Sequence, residues 1–355
     1  ISITNLETGG AQMFALHLAS ALAENHAVYL YDQRPEDRND EFVKNNVSKK
    51  VNIISFASNP LLLKVIWKIK RTINQLGFNF NLRDWINDAY LRYVIKKYKI
   101  DVVHSHLALS DYTVCRILKT VKLPIVITLH GDLDAADKND ILYASSIIPF
   151  IMNRVNAIVY LTHKSIAPFR KYIENTKIDF QNIPNGYNLK SKFSDNNDKE
   201  SKHFSKEKFN IQDGDFVFGM IGRGIKEKGW EEAIRAFILV KESLWSAHHI
   251  NAHLILAGDG DFLNTLKKDH SNIPNIHFTG NISSPLKIIK LFDAGLLPSY
   301  SECYPISVIE YLLLNKPIIA TRVGEIPTMI TGYEGEAGIV VNINESGKCN
   351  MEELK

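Results

Sequence analysis

Short runs of β-branched residues alternate with helix-period apolar patterns along almost the whole chain, and that alternation restricts the fold more than any other feature. A strand followed each time by a helix can rejoin its predecessor only in parallel, in a sheet covered by helices. In the first half, runs at 27–31, 51–55, 102–104, 125–128 and 157–161 read as strands, and residues 1–4 read as the end of another. The pattern restarts at 216–221 and continues at 252–257, 276–278, 294–297, 317–321 and 338–341. In 355 residues that are 45% hydrophobic, such a restart predicts two doubly wound α/β domains, each with its own core. Ser, Asp, Asn, Lys and Glu crowd the stretch 191–208, with Phe193 and Phe204 nearly its only apolar residues, so it reads as a linker between domains at 1–190 and 209–355. Ligands of doubly wound sheets bind beyond the carboxyl ends of the strands, so the expected site is a cleft between facing domains.

The net charge of +3 is too mild to imply a nucleic-acid partner. Cys115, Cys303 and Cys349 stand far apart with no CxxC pair, which suggests neither a disulfide framework nor structural zinc and fits a reducing, cytoplasmic setting. No run approaches the roughly eighteen apolar residues of a membrane span, and no charged-then-apolar leader is visible. The first residues read as the end of a strand and the last as the opening of a helix, so both ends are expected to be trimmed.

The densest chemical signal follows the strand at 294–297: Ser299, Tyr300, Ser301, Glu302, Cys303, Tyr304, Pro305, Ile306, Ser307, Val308, Ile309 and Glu310. Pro305 suits a first helical turn, and Ile306, Ile309, Leu312 and Leu313 then recur at helical spacing. Free amides of Ile306 and Ser307 at that helix start suit a diphosphate, since the helix dipole is positive there. Glu310 lies inside the helix, in an apolar setting where an acid needs a partner, and suits ribose hydroxyls; Glu302 in the loop suits a sugar ring. By spacing alone, both carboxylates would read as solvated surface acids. A second signal, Gly222-Arg223-Gly224-Ile225-Lys226-Glu227-Lys228-Gly229, ends the strand at 216–221 and would bring Arg223 and Lys228 to leaving phosphates. It is neither a P-loop nor a dinucleotide fingerprint.

In the first half, Gly9 and Gly10 precede an amphipathic helix and would let the backbone approach a ligand. His130, followed by Gly131 at the end of the strand at 125–128, reads as a cleft-lip residue, while His104 and His106 read as structural or acceptor-side rather than metal ligands. Asn185 and Gly186 mark a turn that faces the cleft. Asp259, Gly260 and Asp261 read as a βα turn, with Asp261 near the helix start, so no metal site is expected. Residues 61–99 carry many Lys and Arg among Trp and Tyr, as a segment docking on an anionic membrane surface would; two amphipathic helices with solvated basic faces fit equally.

Taken together, these segments resemble the retaining GT-B glycosyltransferases of family four, the group 1 transferases of bacterial polysaccharide and lipopolysaccharide synthesis. The resemblance rests on Gly9 to Gln12, His130-Gly131, Pro184-Asn185-Gly186, Gly222-Arg223 with Lys228-Gly229, Ala257 to Gly260 and the Glu302/Glu310 segment. It implies two Rossmann-like domains facing across a cleft, and transfer of a sugar from a nucleotide-diphosphate donor, mostly UDP-linked, to a glycan or lipid-linked acceptor. No cofactor or metal is implied, and the setting would be cytoplasmic, on the inner face of the membrane. Glu310 would bind the ribose, Arg223 and Lys228 the diphosphate, Glu302 the donor sugar and His130 its far side. Gly222, Tyr304, Ile306, Ser307, Gly9 and Gly10 would surround the donor, with His106 and Asn185 towards the acceptor or cleft. The chain departs from the pattern at Cys303, where the family usually has Gly, at Tyr311 for Ala, Asn315 and Glu325 for Gly, and Thr328 for Glu. The rival readings are a catalytically silent nucleotide-sugar or glycan-binding module of a membrane assembly complex, and an epimerase on the same fold.

Overall fold

The computed structural model describes residues 1–56, 68–69, 71, 82–119, 121–131, 142–174, 176–187, 204–282, 285–332 and 335–355. The chain divides into two compact units, Ile1–Pro184 and Asn185–Lys355. The division precedes the polar stretch at 191–208, most of which lies outside the described residues. Phe204 and Tyr187 pack against the core of the second unit, so both flanks of that stretch belong to one body.

The first unit is built on a seven-stranded parallel sheet in the order β3-β2-β1-β4-β5-β6-β7. Its strands are β1 (Ser2–Ile3), β2 (Tyr29–Asp32), β3 (Asn52–Ile54), β4 (Val103–His106), β5 (Ile125–Leu129), β6 (Ala157–Tyr160) and β7 (Asp179–Asn182). The helices that bear on function are α1 (Gly10–Leu22), α2 (Leu82–Lys97) and α3 (Ala108–Ile117). Ile125, Ile127 and Ile158 meet Val114, Cys115, Ile117 and Leu118 of the α3 region in the main core, all at most 1% exposed. Each such aliphatic side chain contributes roughly 1.5–3 kcal/mol by leaving water. Burial pushes the Cys115 thiol up to about 12, so it acts as a small apolar residue. β7 has the sequence Asp-Phe-Gln-Asn and is mostly exposed; an edge strand with no apolar run leaves no hydrophobic signature to read.

The second unit holds a six-stranded parallel sheet, order β10-β9-β8-β11-β12-β15. The strands are β8 (Phe216–Ile221), β9 (Ala252–Ala257), β10 (Ile276–Gly280), β11 (Ala294–Leu297), β12 (Ile318–Thr321) and β15 (Gly338–Val341), with a small hairpin of β13 (Thr331–Gly332) and β14 (Gly335–Glu336) beside them. Helices α4 (Trp230–His248), α5 (Asp261–His270) and α6 (Ile306–Leu313) flank the sheet. β9 is buried along its whole length, and its alternate residues serve opposite faces. Ile255 and Ala257 join the cluster of Phe292, Val308 and Tyr311, while Leu254 and Leu256 join that of Trp230, Ile234 and Phe237. A parallel strand covered by helices on both sides must be apolar in both registers, which is why these strands are read so cleanly from sequence.

Tyr311, one of the departures from the family pattern, is accommodated by a partner glycine. A Cβ on Gly295 of β11 would lie 2.6 Å from the Tyr311 ring, so the phenol occupies the space a side chain there would take. Asn315 adopts φ 53 after α6, the left-handed conformation in which Asn stands in for Gly.

Candidate functional site

In the second unit the strand order reverses between β8 and β11: the chain leaves β8 towards β9 on one side and leaves β11 towards β12 on the other. Such a switch point splays the two following loops and opens a crevice at the carboxyl ends. The loop after β8 carries Gly222, Arg223 and Lys228; the loop after β11 carries Ser299, Glu302 and Tyr304 and runs into α6. The Tyr300 amide donates to the Glu227 carbonyl at 2.8 Å, which ties the two loops together. Gly229, at φ 77, sits so near the Pro298 carbonyl that a Cβ would come within 2.1 Å of its oxygen. Only glycine fits that crossing.

Lys228 and Glu302 meet in this crevice. Lys228 Nζ lies 2.5 Å from Glu302 Oε1, with the two side chains 18% and 8% exposed, and the Ser299 hydroxyl donates to the same oxygen at 2.8 Å. Glu302 thus orients Lys228 as well as bordering the loop. Arg223 is exposed, but its backbone is fixed, because the Trp230 indole N–H donates to its carbonyl at 2.9 Å and the Gly224 amide donates to Asp259 at 2.7 Å. Pro305 takes the N-cap position of α6 with extended backbone, one place earlier than the helical turn expected for it, and Ile306 and Ser307 open the helix. Their amides are among the first four of a helix, which have no intrahelical acceptor.

Glu310, on α6, is 3% exposed and accepts a hydrogen bond from the Tyr187 hydroxyl at 3.1 Å. Asn185 Nδ2 donates to the Tyr304 carbonyl at 2.7 Å, and its Oδ1 is buried without a hydrogen-bond partner. Asn185 and Tyr187 thus serve the second unit, whereas the sequence reading, with its first domain at 1–190, includes them in the first. Tyr187 escapes that reading, since its pairing spans 123 residues of sequence, and Ser299, although it opens the motif, is given no role in it.

In the first unit the corresponding reversal lies between β1 and β4. α1 starts here at Gly10 with Gly9 as its N-cap, and no side chain caps it. His104 and His106 alternate onto one face of β4, with ring centroids 4.4 Å apart, and His130 follows β5. His106 Nδ1 and His130 Nε2 are 2.9 Å apart, His104 Nε2 lies 2.7 Å from the Thr128 hydroxyl, and Phe14 of α1 presses edge-on against His106 and His130. The three histidines form one packed group at the strand ends.

Burial lowers His104 to about 4 and His130 to about 3 from 6.5, and pushes His106 down as well. Each therefore binds fewer protons folded than unfolded, so stability rises with pH through this range. Their contribution is complete above the unfolded value of about 6.5 and is lost as pH falls towards 4 and then 3. Urea unfolding should show progressive destabilisation of the first unit over that window, and a flat profile would contradict the neutral burial of these rings.

Among the described residues no group of three or more His, Cys, Asp or Glu is placed to hold a metal ion. Asp259 Oδ1 accepts from the Gly260 amide at 2.8 Å and from Asn264 Nδ2 at 2.9 Å, and Asp261 is the first residue of α5, so this acidic stretch is a βα turn. Of the basic segment expected at 61–99, residues 61–67, 70 and 72–81 lie outside the described residues; α2 is the larger part of what is described. Trp85 and Tyr93 there are 59% and 50% exposed, and Lys97 lies over the rings of Tyr93 and Tyr98. No helix among the described residues is long and apolar enough to cross a membrane.

Two parallel Rossmann-like sheets, one in each unit, define a protein of the GT-B class. The chain belongs to the group 1 glycosyltransferases: residues 8–191 match the model of Glycosyltransferase Family 4, and residues 201–349 match that of Glycosyl transferases group 1. It is 24% identical to N-acetyl-alpha-D-glucosaminyl L-malate synthase of Bacillus anthracis, over 75% of this chain and 70% of the relative. It is 27% identical to alpha-monoglucosyldiacylglycerol synthase of Acholeplasma laidlawii, over 72% of this chain and 67% of the relative. The fold is similar to the crystal structure of Anabaena HepE in complex with UDP, with a TM-score of 0.64, 15% identity, and coverage of 98% of this chain and 86% of the other.

Proposed function

We propose that this glycosyltransferase moves a sugar from a UDP-sugar to a glycan or lipid-linked acceptor with retention of anomeric configuration and without a metal. The observation that carries the reading is the convergence, at one strand reversal, of Arg223, Lys228, the open start of α6 and the buried carboxylate of Glu310. Breaking a glycosyl phosphate bond builds negative charge on the departing diphosphate. Two cations and a helix N-terminus stabilise that charge without a metal ion. In this reading Glu310 holds the ribose, the amides of Ile306 and Ser307 hold phosphate, and Gly222 and Tyr304 border the donor. Glu302 meets the donor sugar while it orients Lys228, and Asn185 fixes the Tyr304 turn. On the first unit, Gly9 and Gly10 approach the phosphates and acceptor, with His130 and His106 beside the sugar. The leaving phosphate takes the acceptor's proton. The UDP complex of a similar fold and a relative named for a glycolipid product support the donor and acceptor classes.

The exposed aromatic and basic face of α2 supports docking on an anionic leaflet, with the rings at the headgroup level and the lysines on lipid charge. A panel of nucleotides and nucleotide-sugars, read by thermal shift with and without vesicles of anionic phospholipid, tests both parts. A ligand at a hundredfold its Kd adds about 2.7 kcal/mol of stability, so UDP and a UDP-sugar should raise Tm clearly. No shift with any nucleotide would leave a silent module as the better reading, and equal sedimentation with anionic and neutral vesicles would remove the membrane part.

A further inference from the structure

We infer that His106 is a positioning residue that fixes the tautomer of His130, so that His130 presents Nδ1–H as a hydrogen-bond donor to a sugar oxygen and cannot act as a base. The inference deepens the proposed function and rests on its placing of His130 beside the sugar.

The two rings share one hydrogen bond, between His106 Nδ1 and His130 Nε2 at 2.9 Å. Both are buried deeply enough to stay neutral at neutral pH, so each carries a single N–H. Only two proton arrangements then satisfy the contact. In one, His130 donates from Nε2, His106 accepts at Nδ1, and the His106 proton must sit on Nε2. That nitrogen is fully buried and has no hydrogen-bond partner, so this arrangement strands an N–H donor in an apolar environment. In the other, His106 donates from Nδ1 and leaves only a lone pair unmatched at Nε2. The second arrangement is favoured, and it dictates the far ring: His130 accepts at Nε2 and therefore keeps its proton on Nδ1.

Nδ1 of His130 has no bonding partner among the described residues, which leaves the donor for a ligand. A nitrogen that already holds a proton cannot remove one from an acceptor hydroxyl, in keeping with proton transfer to the leaving phosphate. The surroundings hold His106 in place. His104 lies against its ring, Phe14 presses on its edge, and the next residue, Leu107, turns the chain out of β4 at φ 75. That value is an outlier for a bulky residue, and strain of this kind persists where the neighbouring structure over-determines it.

The test is nitrogen-15 NMR of histidine-labelled protein at neutral pH, which reads protonation at each ring nitrogen. His130 should show a protonated Nδ1 and a bare Nε2; the reverse assignment overturns the inference whatever the activity. Two variants give the functional half. His106→Asn keeps an N–H donor near the position of Nδ1, whereas His106→Leu removes it. His106→Leu should mix the His130 tautomers and lower kcat roughly tenfold with little change in donor KM, and His106→Asn should recover most of that loss. Equal losses in two folded variants, or none in either, overturn it. A His130→Ala variant with wild-type turnover would remove His130 from the reaction while leaving the NMR result intact, so the two failures are distinguishable.

Discussion

Replacing Lys228 with Met should lower kcat/KM by roughly a hundred- to a thousandfold, the range lost when one preorganised charge-stabilising group is removed from a transition state. The structure offers a competing explanation for any such loss. Lys228 is ion-paired with Glu302 at 2.5 Å in a largely buried setting, and truncating one partner strands the other charge. A double-mutant cycle separates the two. If Lys228 serves only to neutralise Glu302, then Lys228→Met combined with Glu302→Gln should regain most of the activity that Lys228→Met loses. If Lys228 stabilises the departing diphosphate, the double variant stays as impaired as Lys228→Met, and that is the outcome expected here. Recovery of activity in the double variant would reassign Lys228 to structure.

Glu310→Ala should abolish transfer and weaken UDP binding by about ten- to a hundredfold, the range expected for hydrogen bonds to a charged acceptor. Glu310 lies on α6 between Val308 and Leu312, and the fold should survive its truncation because the helix is anchored by Val308 and Tyr311, both 0% exposed. Calorimetric titration with UDP and 2′,3′-dideoxy-UDP gives the sharper reading. The wild type should discriminate strongly between them, while the variant should bind both about equally. Undiminished discrimination would move the ribose contact to another residue.

Much of this molecule is legible in its sequence because its strands are parallel and covered. Runs such as Ala252–Ala257 are apolar in both registers and stand out without alignment. β7 is invisible for the opposite reason: at a sheet edge, Asp-Phe-Gln-Asn needs only backbone pairing, and backbone pairing leaves no trace in residue type. The candidate site divides in the same way. Arg223, Lys228, Glu302 and Glu310 follow apolar strands, so their positions at carboxyl ends could be inferred, and glycines marked the tight crossings around them. The contacts that orient them were not legible. Tyr187 reaches Glu310 from the far end of a polar stretch, and Ser299 and Lys228 converge on one oxygen of Glu302 from loops far apart in the chain. Such pairings depend on how two loops fold over one crevice, which single-sequence periodicity does not encode.

Tyr311 has a mechanical consequence. Its hydroxyl accepts the amide of Ile221 at 3.1 Å, at the point where β8 runs on past its last residue paired with β11 towards Arg223. The phenol is thus a strut between the helix that bears Glu310 and the root of the arginine loop. A tilt of α6 would be transmitted through that strut to the loop that bears Arg223 and Lys228. With the donor bound as proposed, the two ends of the nucleotide would be gripped by one stiff frame rather than by two independent jaws.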